Sequence, residues 1–141
     1  TIPVTLKTVT DDLGVKKDVS SFVVPVGATI NMDGTAIMQG LATMFIASTA
    51  GVDLSMIEYM QIVLLAMVAS IGAAAVPSAG TITLALILSS LGLPLDAIGL
   101  ILAVDRILDM IRTSVNVIGD SAIACIVGNS ENLLNKEVFY K

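Results

Sequence analysis

Five polar residues in an otherwise apolar C-terminal segment recur at helical spacing. Asp105, Asp109, Arg112, Asn116 and Asp120 are separated by 4, 3, 4 and 4 positions. At about 100° per residue they share an arc of about 80°, with Thr113 at its edge and Ile107, Ile111, Val115 and Ile118 on the other side. Ionisable groups within a membrane helix are expensive, and they face a bundle interior or a watery cavity. An ion-pair ladder serving only to hold helices together would balance its charges. Here Asp33 adds a fourth carboxylate from another segment, so the excess calls for cations and leaves Arg112 to take an anion.

A second cluster, Asn31-Met32-Asp33-Gly34-Thr35, interrupts an apolar stretch, with Gly27 nearby. Unwound backbone at membrane depth is tolerated where it is buried in protein or lines a cavity, and it exposes carbonyl oxygens. Carbonyls with Asp and Asn oxygens suit a hard cation. Few carboxylates per ion favour a monovalent cation over Ca²⁺, which takes 6–8 oxygens. A third feature, Val76-Pro77-Ser78-Ala79-Gly80, reads as the tip between two short apolar arms: a helix N-terminus at Thr81 would favour an anion, and carbonyls at the end of the Met60 arm a cation.

These groups need membrane elements to hold them. The chain has 141 residues, 55% hydrophobic and 13% charged, with a net charge of −5. Its mean hydropathy is +0.94. No charge occurs from Tyr59 to Leu95, a run of 37 residues, where about 20 span a bilayer core. This composition argues against a water-soluble enzyme, a disordered chain and a nucleic-acid binder, while one Cys and no His argue against disulfide or zinc scaffolds. The expected fold is an all-α membrane protein. Residues 5–20 read as a polar loop, 19–50 as a transmembrane helix broken at 31–35, and 51–58 as an acidic loop. Residues 56–95 read as a re-entrant hairpin, with arms near Met60–Ala75 and Thr81–Leu91. The last transmembrane helix lies within 96–135, expected as one piece from Leu95 to about Asn132.

Lys7, Lys16 and Lys17 precede the first span, and Lys136 and Lys141 follow the last. The positive-inside rule then makes both ends cytoplasmic and brings the hairpin in from outside. The chain starts at Thr1 without Met or a signal peptide, and the expectation is the C-terminal part of a longer multi-pass protein of the cell membrane. Two other functions use the same residues. An aspartyl hydrolase could pair Asp33 with Asp109 or Asp120, but a dyad must share a proton and an arginine in the stripe keeps carboxylates ionised. A channel could use the stripe as a pore lining.

With these residues in view the chain resembles the dicarboxylate/amino acid:cation symporter family, which includes excitatory amino acid and archaeal aspartate transporters. Gly27–Thr35 (GATINMDGT) is similar to the family's broken seventh span. Ser70–Gly80 (SIGAAAVPSAG) is similar to its second hairpin tip, and Asp105–Asp120 (DRILDMIRTSVNVIGD) to its eighth span. The resemblance covers essentially all 141 residues, with 1–18 as the end of the first hairpin and a cytoplasmic loop.

The resemblance implies a sodium-coupled symporter of aspartate or glutamate, not an enzyme, working by alternating access with the 56–95 hairpin as extracellular gate. Arg112 would hold the substrate's side-chain carboxylate and Asp109 its ammonium. Asn116, Thr113 and Thr35 would hydrogen-bond it, with Val76 and Gly80 closing over it. One sodium would lie among Gly27, Asn31, Asn116 and Asp120. A second would take carbonyls of Thr29, Ser70, Ile71 and Ala73, and a third Asp33 with Asn31 and groups elsewhere in the protein. Asp105 would support the set from behind. The implied partners are the acidic amino acid, Na⁺, the lipid bilayer, the N-terminal remainder of the transporter and two further copies in a homotrimer. No cofactor beyond sodium and no nucleic acid is implied.

Departures inside the family refine this. Members for neutral amino acids lack the arginine, and those for C4-dicarboxylates lack the ammonium-binding aspartate. Asp120 argues for sodium over proton coupling. Potassium-coupled members carry glutamate where Gln39 stands and another near Thr10. Ala73 and Ala75 replace Thr or Gly of some relatives. The alternative is a proton- or sodium-coupled C4-dicarboxylate carrier, or an anion-conducting channel of the same fold.

Overall fold

The structure, a computed structural model, describes residues 1–72 and 79–141. Among them the fold is all-α: α1 (Ile2–Lys7), α2 (Lys17–Ile30), α3 (Asp33–Thr49), α4 (Met56–Gly72), α5 (Ala79–Ser90), α6 (Ile98–Leu102), α7 (Asp105–Ser130) and α8 (Lys136–Phe139). The chain divides into two compact units, Thr1–Asn31 with Val115–Lys141, and Met32–Ser114.

In the first unit Pro3 sits in the opening turn of α1, where its missing N–H costs nothing. The helix runs on into a π-type turn, Thr8–Asp12, closed by the Leu13 amide donating to the Thr8 carbonyl at 3.0 Å. The expected 5–20 loop is therefore corrected to helix over 5–12 and 17–20. Its charges concealed an apolar face: Val9, Val15, Val19 and Val24 are buried together with Ala124. Pro25 lies inside α2, where it removes one backbone bond. The chain's C-terminal stretch is tied to the segment before α2: Lys16 N–H donates to the Leu133 carbonyl at 2.9 Å and Asn135 N–H to Gly14 at 2.8 Å. Asn135 caps α8, its side chain accepting from the Glu137 amide at 3.1 Å.

Between α2 and α3 only Asn31 and Met32 are non-helical, with φ,ψ of −89°,74° and −108°,44°. The interruption expected over 31–35 is thus two residues long. Asp33, Gly34 and Thr35 form the first turn of α3, where the helix dipole favours a carboxylate.

In the second unit α3 packs on α4 and α5, and α4 packs on α5. The core gathers Ala42, Ile46, Leu84, Leu88, Leu93 and Ile101. Both α3 and α5 stop at a glycine in the left-handed region, Gly51 and Gly92, each at φ +67°. The following amide reaches back in each case, Val52 to Ala47 at 3.0 Å and Leu93 to Leu88 at 2.9 Å, which satisfies carbonyls a helix end would leave open. A reciprocal cap starts α4. The Ser55 amide donates to Glu58 Oε2 at 2.7 Å, and the Glu58 amide to Ser55 Oγ at 3.4 Å. With 17 and 12 residues, α4 and α5 reach about 26 and 18 Å, short of the roughly 30 Å bilayer core.

The single helix expected from Leu95 is in fact three pieces. A 3₁₀ turn, Leu95–Ala97, leads into α6, and a turn at Ala103–Val104 precedes α7. Asp105 opens α7, so its carboxylate meets the positive end of the helix. With 26 residues, α7 is the one helix among the described residues long and apolar enough to cross a membrane. It is inside-out by soluble standards: Ile107 and Ile118 are 65% and 68% exposed while Asp120 is 4% exposed. That inversion suits lipid on one side and polar chemistry on the other.

Candidate functional site

Each unit carries its own polar centre. In the second, the Arg112 guanidinium pairs with the Asp109 carboxylate one turn earlier on α7. The arginine side chain is 16% exposed and the aspartate 46%. The guanidinium is largely covered and its aspartate partner open, so a competing carboxylate can take the aspartate's place on the arginine. Two glycines let helix ends approach. A Cβ at Gly80 would stand 2.5 Å from Arg112 Nη1, and one at Gly34 would collide with the Arg112 carbonyl. The first turns of α3 and α5 therefore both lie against Arg112. Helix N-termini beside a guanidinium form a region of positive potential suited to an anion. Thr35, in the first turn of α3, is 3% exposed, and Thr113 is half-buried.

In the first unit the centre is a buried carboxylate. Asn31 Nδ2 donates to Asp120 Oδ1 at 3.0 Å. The Asn31 amide donates to the Gly27 carbonyl at 2.7 Å, which closes the last turn of α2. Both sides are close-packed: a Cβ at Gly27 would collide with Asp120 Oδ1, and one at Gly119 would stand 2.5 Å from Asn31 Nδ2. Since Asn31 turns its nitrogen to Asp120, its own oxygen is left as a second hard acceptor beside the carboxylate.

These two centres hold many of the residues singled out in the sequence, but not all. Arg112, Asp109, Thr113, Thr35 and Gly80 belong to the second unit, and Asn116, half-buried, to the first. Gly27, Asn31 and Asp120 meet directly. Thr29 is exposed in the first unit, its hydroxyl donating to the Pro25 carbonyl at 3.1 Å. Ser70 is buried in the second, donating to Met67 at 2.8 Å, next to an exposed Ile71. Ala73 and Val76, with residues 76–78 of the expected 76–80 tip, lie outside the described residues. Asp33, expected to be buried, is exposed: it opens α3, where the positive end of the helix favours a carboxylate without burial. Asp105 is half-buried in a narrow cavity wall that Arg112 also lines. Among the described residues no three His, Cys, Asp or Glu side chains converge as a multivalent metal centre would need. Any cation held here relies on carbonyl and amide oxygens beside single carboxylates.

Sequence reasoning missed two features. The cap Ser55-x-x-Glu58 was legible as a helix start but passed as a charged loop. The hydrogen bond from Gln39 Nε2 to Thr83 Oγ1 joins residues 44 apart, and no local signal announces it.

A chain with an inside-out helix, short paired apolar arms and carboxylate and guanidinium groups on one covered stripe has the makings of a membrane carrier. It matches the Sodium:dicarboxylate symporter family over residues 1–130, and it belongs to that family, a family of symporters and not of enzymes. It is similar to the mouse protein named excitatory amino acid transporter 2, 54% identical over 127 residues, covering 90% of this chain and 22% of the relative. A Caenorhabditis elegans excitatory amino acid transporter is 52% identical over 127 residues, covering 90% of this chain and 25% of the relative. Rat excitatory amino acid transporter 1 is 48% identical over 140 residues, covering 98% of this chain and 26% of the relative. The chain thus spans about a quarter of the length of these curated relatives.

Proposed function

We propose that this chain is the C-terminal part of the transport domain of a sodium-coupled symporter for acidic amino acids, aspartate or glutamate. The observation that carries the reading is the Arg112–Asp109 pair, set among the first turns of α3 and α5. An acidic amino acid offers a second carboxylate and an ammonium, the two charges this pair already satisfies internally. On binding, the substrate carboxylate replaces Asp109 on the guanidinium, and the ammonium takes Asp109. Thr35, Thr113 and Asn116 hydrogen-bond the remaining groups, with Gly80 and Val76 covering them. Asp120, Asn31, Asn116 and the Gly27 carbonyl hold one sodium. Thr29, Ser70, Ile71 and Ala73 supply carbonyls for a second, and Asp33 with Asn31 contributes to a third.

In the same reading 19–50 is a broken transmembrane helix, 56–95 a re-entrant hairpin acting as extracellular gate, and 96–135 the last span, ending on the cytoplasmic side of the cell membrane. Residues 1–18 complete a first hairpin and its loop, and the whole protein works as a homotrimer by alternating access. The family's name, sodium:dicarboxylate symporter, also admits a C4-dicarboxylate carrier, but such a substrate gives Asp109 no cation to hold. The test is uptake by the full-length protein in proteoliposomes under an inward sodium gradient. Radiolabelled aspartate or glutamate should accumulate and collapse with the gradient, and succinate should compete at least about tenfold more weakly, the worth of one charged contact. Equal competition by succinate would assign the site to dicarboxylates, and flux without saturable, sodium-dependent uptake would assign it to a channel.

A further inference from the structure

Gln39 is 1% exposed in the middle of α3, and the sodium and substrate sets above make no use of it. Its Nε2 donates to Thr83 Oγ1, and the Thr83 hydroxyl donates to the Gly80 carbonyl at 3.2 Å. The direction of the relay is fixed by chemistry: a hydroxyl has one hydrogen, so once it serves Gly80 it accepts from the amide nitrogen. The amide oxygen, Oε1, is then buried without a donor among the described residues. Gln39 lines a narrow cavity of about 10 Å³ whose wall includes Gly80, Thr81, Asp105 and Arg112. That is room for about one water.

We infer that Gln39 is a positioning residue for the substrate-binding arginine, acting through Thr83 and Gly80, with its Oε1 satisfied by a single water in this cavity. A buried glutamine forgoes water on both ends of its amide, and such a group persists where its bonds fix a geometry. Here the geometry is the first turn of α5. Thr83 and Gly80 are one turn apart, so the amide of Gln39 pins that turn to α3. The pinned turn presents Gly80 as the wall beside Arg112 Nη1. Without the pin, α5 can roll and the guanidinium loses the surface that orients it.

The inference rests on the transport reading for its functional arm. In the full-length protein, Gln39→Met and Thr83→Val each remove the relay at nearly constant volume. Each should raise the KM for aspartate or glutamate roughly 5- to 20-fold, the worth of one buried hydrogen bond. Maximal uptake and half-saturating sodium should stay within about twofold, and the double variant should be no worse than either single one. Thr83→Ser, which keeps the hydroxyl, should behave as wild type. An unchanged KM in Thr83→Val, additive effects in the double variant, or a Thr83→Ser variant as impaired as Thr83→Val would overturn the proposal. Should Gln39→Met fail to fold, the Thr83 pair decides. If the wild-type protein takes up no acidic amino acid, the transport reading fails. The relay is then judged by a structure of the full protein resolving waters: one water within hydrogen-bond reach of Gln39 Oε1 supports it, and a protein donor there overturns it.

Discussion

The two polar centres differ in how they treat charge. Around Asp120 the carboxylate is 4% exposed and takes a neutral amide donor, with glycine on both flanks. Around Arg112 the charges are paired, and the carboxylate partner is 46% exposed. A small, tight site built on a carboxylate and amide oxygens rewards a bare monovalent cation. A loose, self-neutralised pair rewards a ligand that brings both signs of charge. In the proposed function the contrast sets sodium binding apart from amino-acid binding, although both centres draw on residues of α7. It also makes the glycines informative: Gly27 and Gly119 keep space around the carboxylate and its amide, while Gly80 keeps space around the guanidinium.

The largest effect that distinguishes the two centres is expected at Asp120. Asp120→Asn removes the charge of this buried carboxylate, and half-saturating sodium should rise by about 10- to 100-fold. Substrate affinity at saturating sodium should stay within a few-fold. If aspartate binding collapses at every sodium concentration, the two centres are not separable as drawn. The glycines give the next test, with a smaller effect. Gly27→Ala should weaken sodium and Gly80→Ala should weaken the acidic substrate, each by roughly tenfold, since a Cβ meets Asp120 in one case and Arg112 in the other. Measured sodium and aspartate dependences of both variants check this. A common phenotype would show that general destabilisation, not the local collision, decides. The smallest effect lies far from both centres. Ser55→Ala removes the cap on α4 and should lower thermal stability by about 1 kcal/mol with transport constants unchanged, read from a melting curve beside an uptake assay.

Much of this was legible in the sequence where a single helix carries the signal. The stripe of Asp105, Asp109, Arg112, Asn116 and Asp120 follows from 3.6-residue periodicity, and the covered and exposed sides of α7 fall as that periodicity requires. What escaped depends on partners distant in the chain. Val9 and Val15 bury against Val24 and Ala124, which turned an apparent loop into helix. Asp33 was expected inside because its neighbours are apolar, yet the first turn of a helix accommodates a carboxylate in the open. Spacing could suggest that Arg112 and Asp109 share a face. It could not show that they hold one another, nor that Gln39 reaches Thr83.

In the proposed function Arg112 selects the acidic side chain. That selection is tested most directly by uptake in the full-length Arg112→Cys protein, with aspartate and a neutral amino acid such as serine measured side by side under a sodium gradient. Loss of a buried guanidinium–carboxylate contact should cut aspartate transport efficiency by at least about 100-fold. Sodium-dependent uptake of the neutral amino acid should be retained or appear, because Asp109 is freed for the ammonium. Aspartate uptake at wild-type efficiency in that variant would contradict the account.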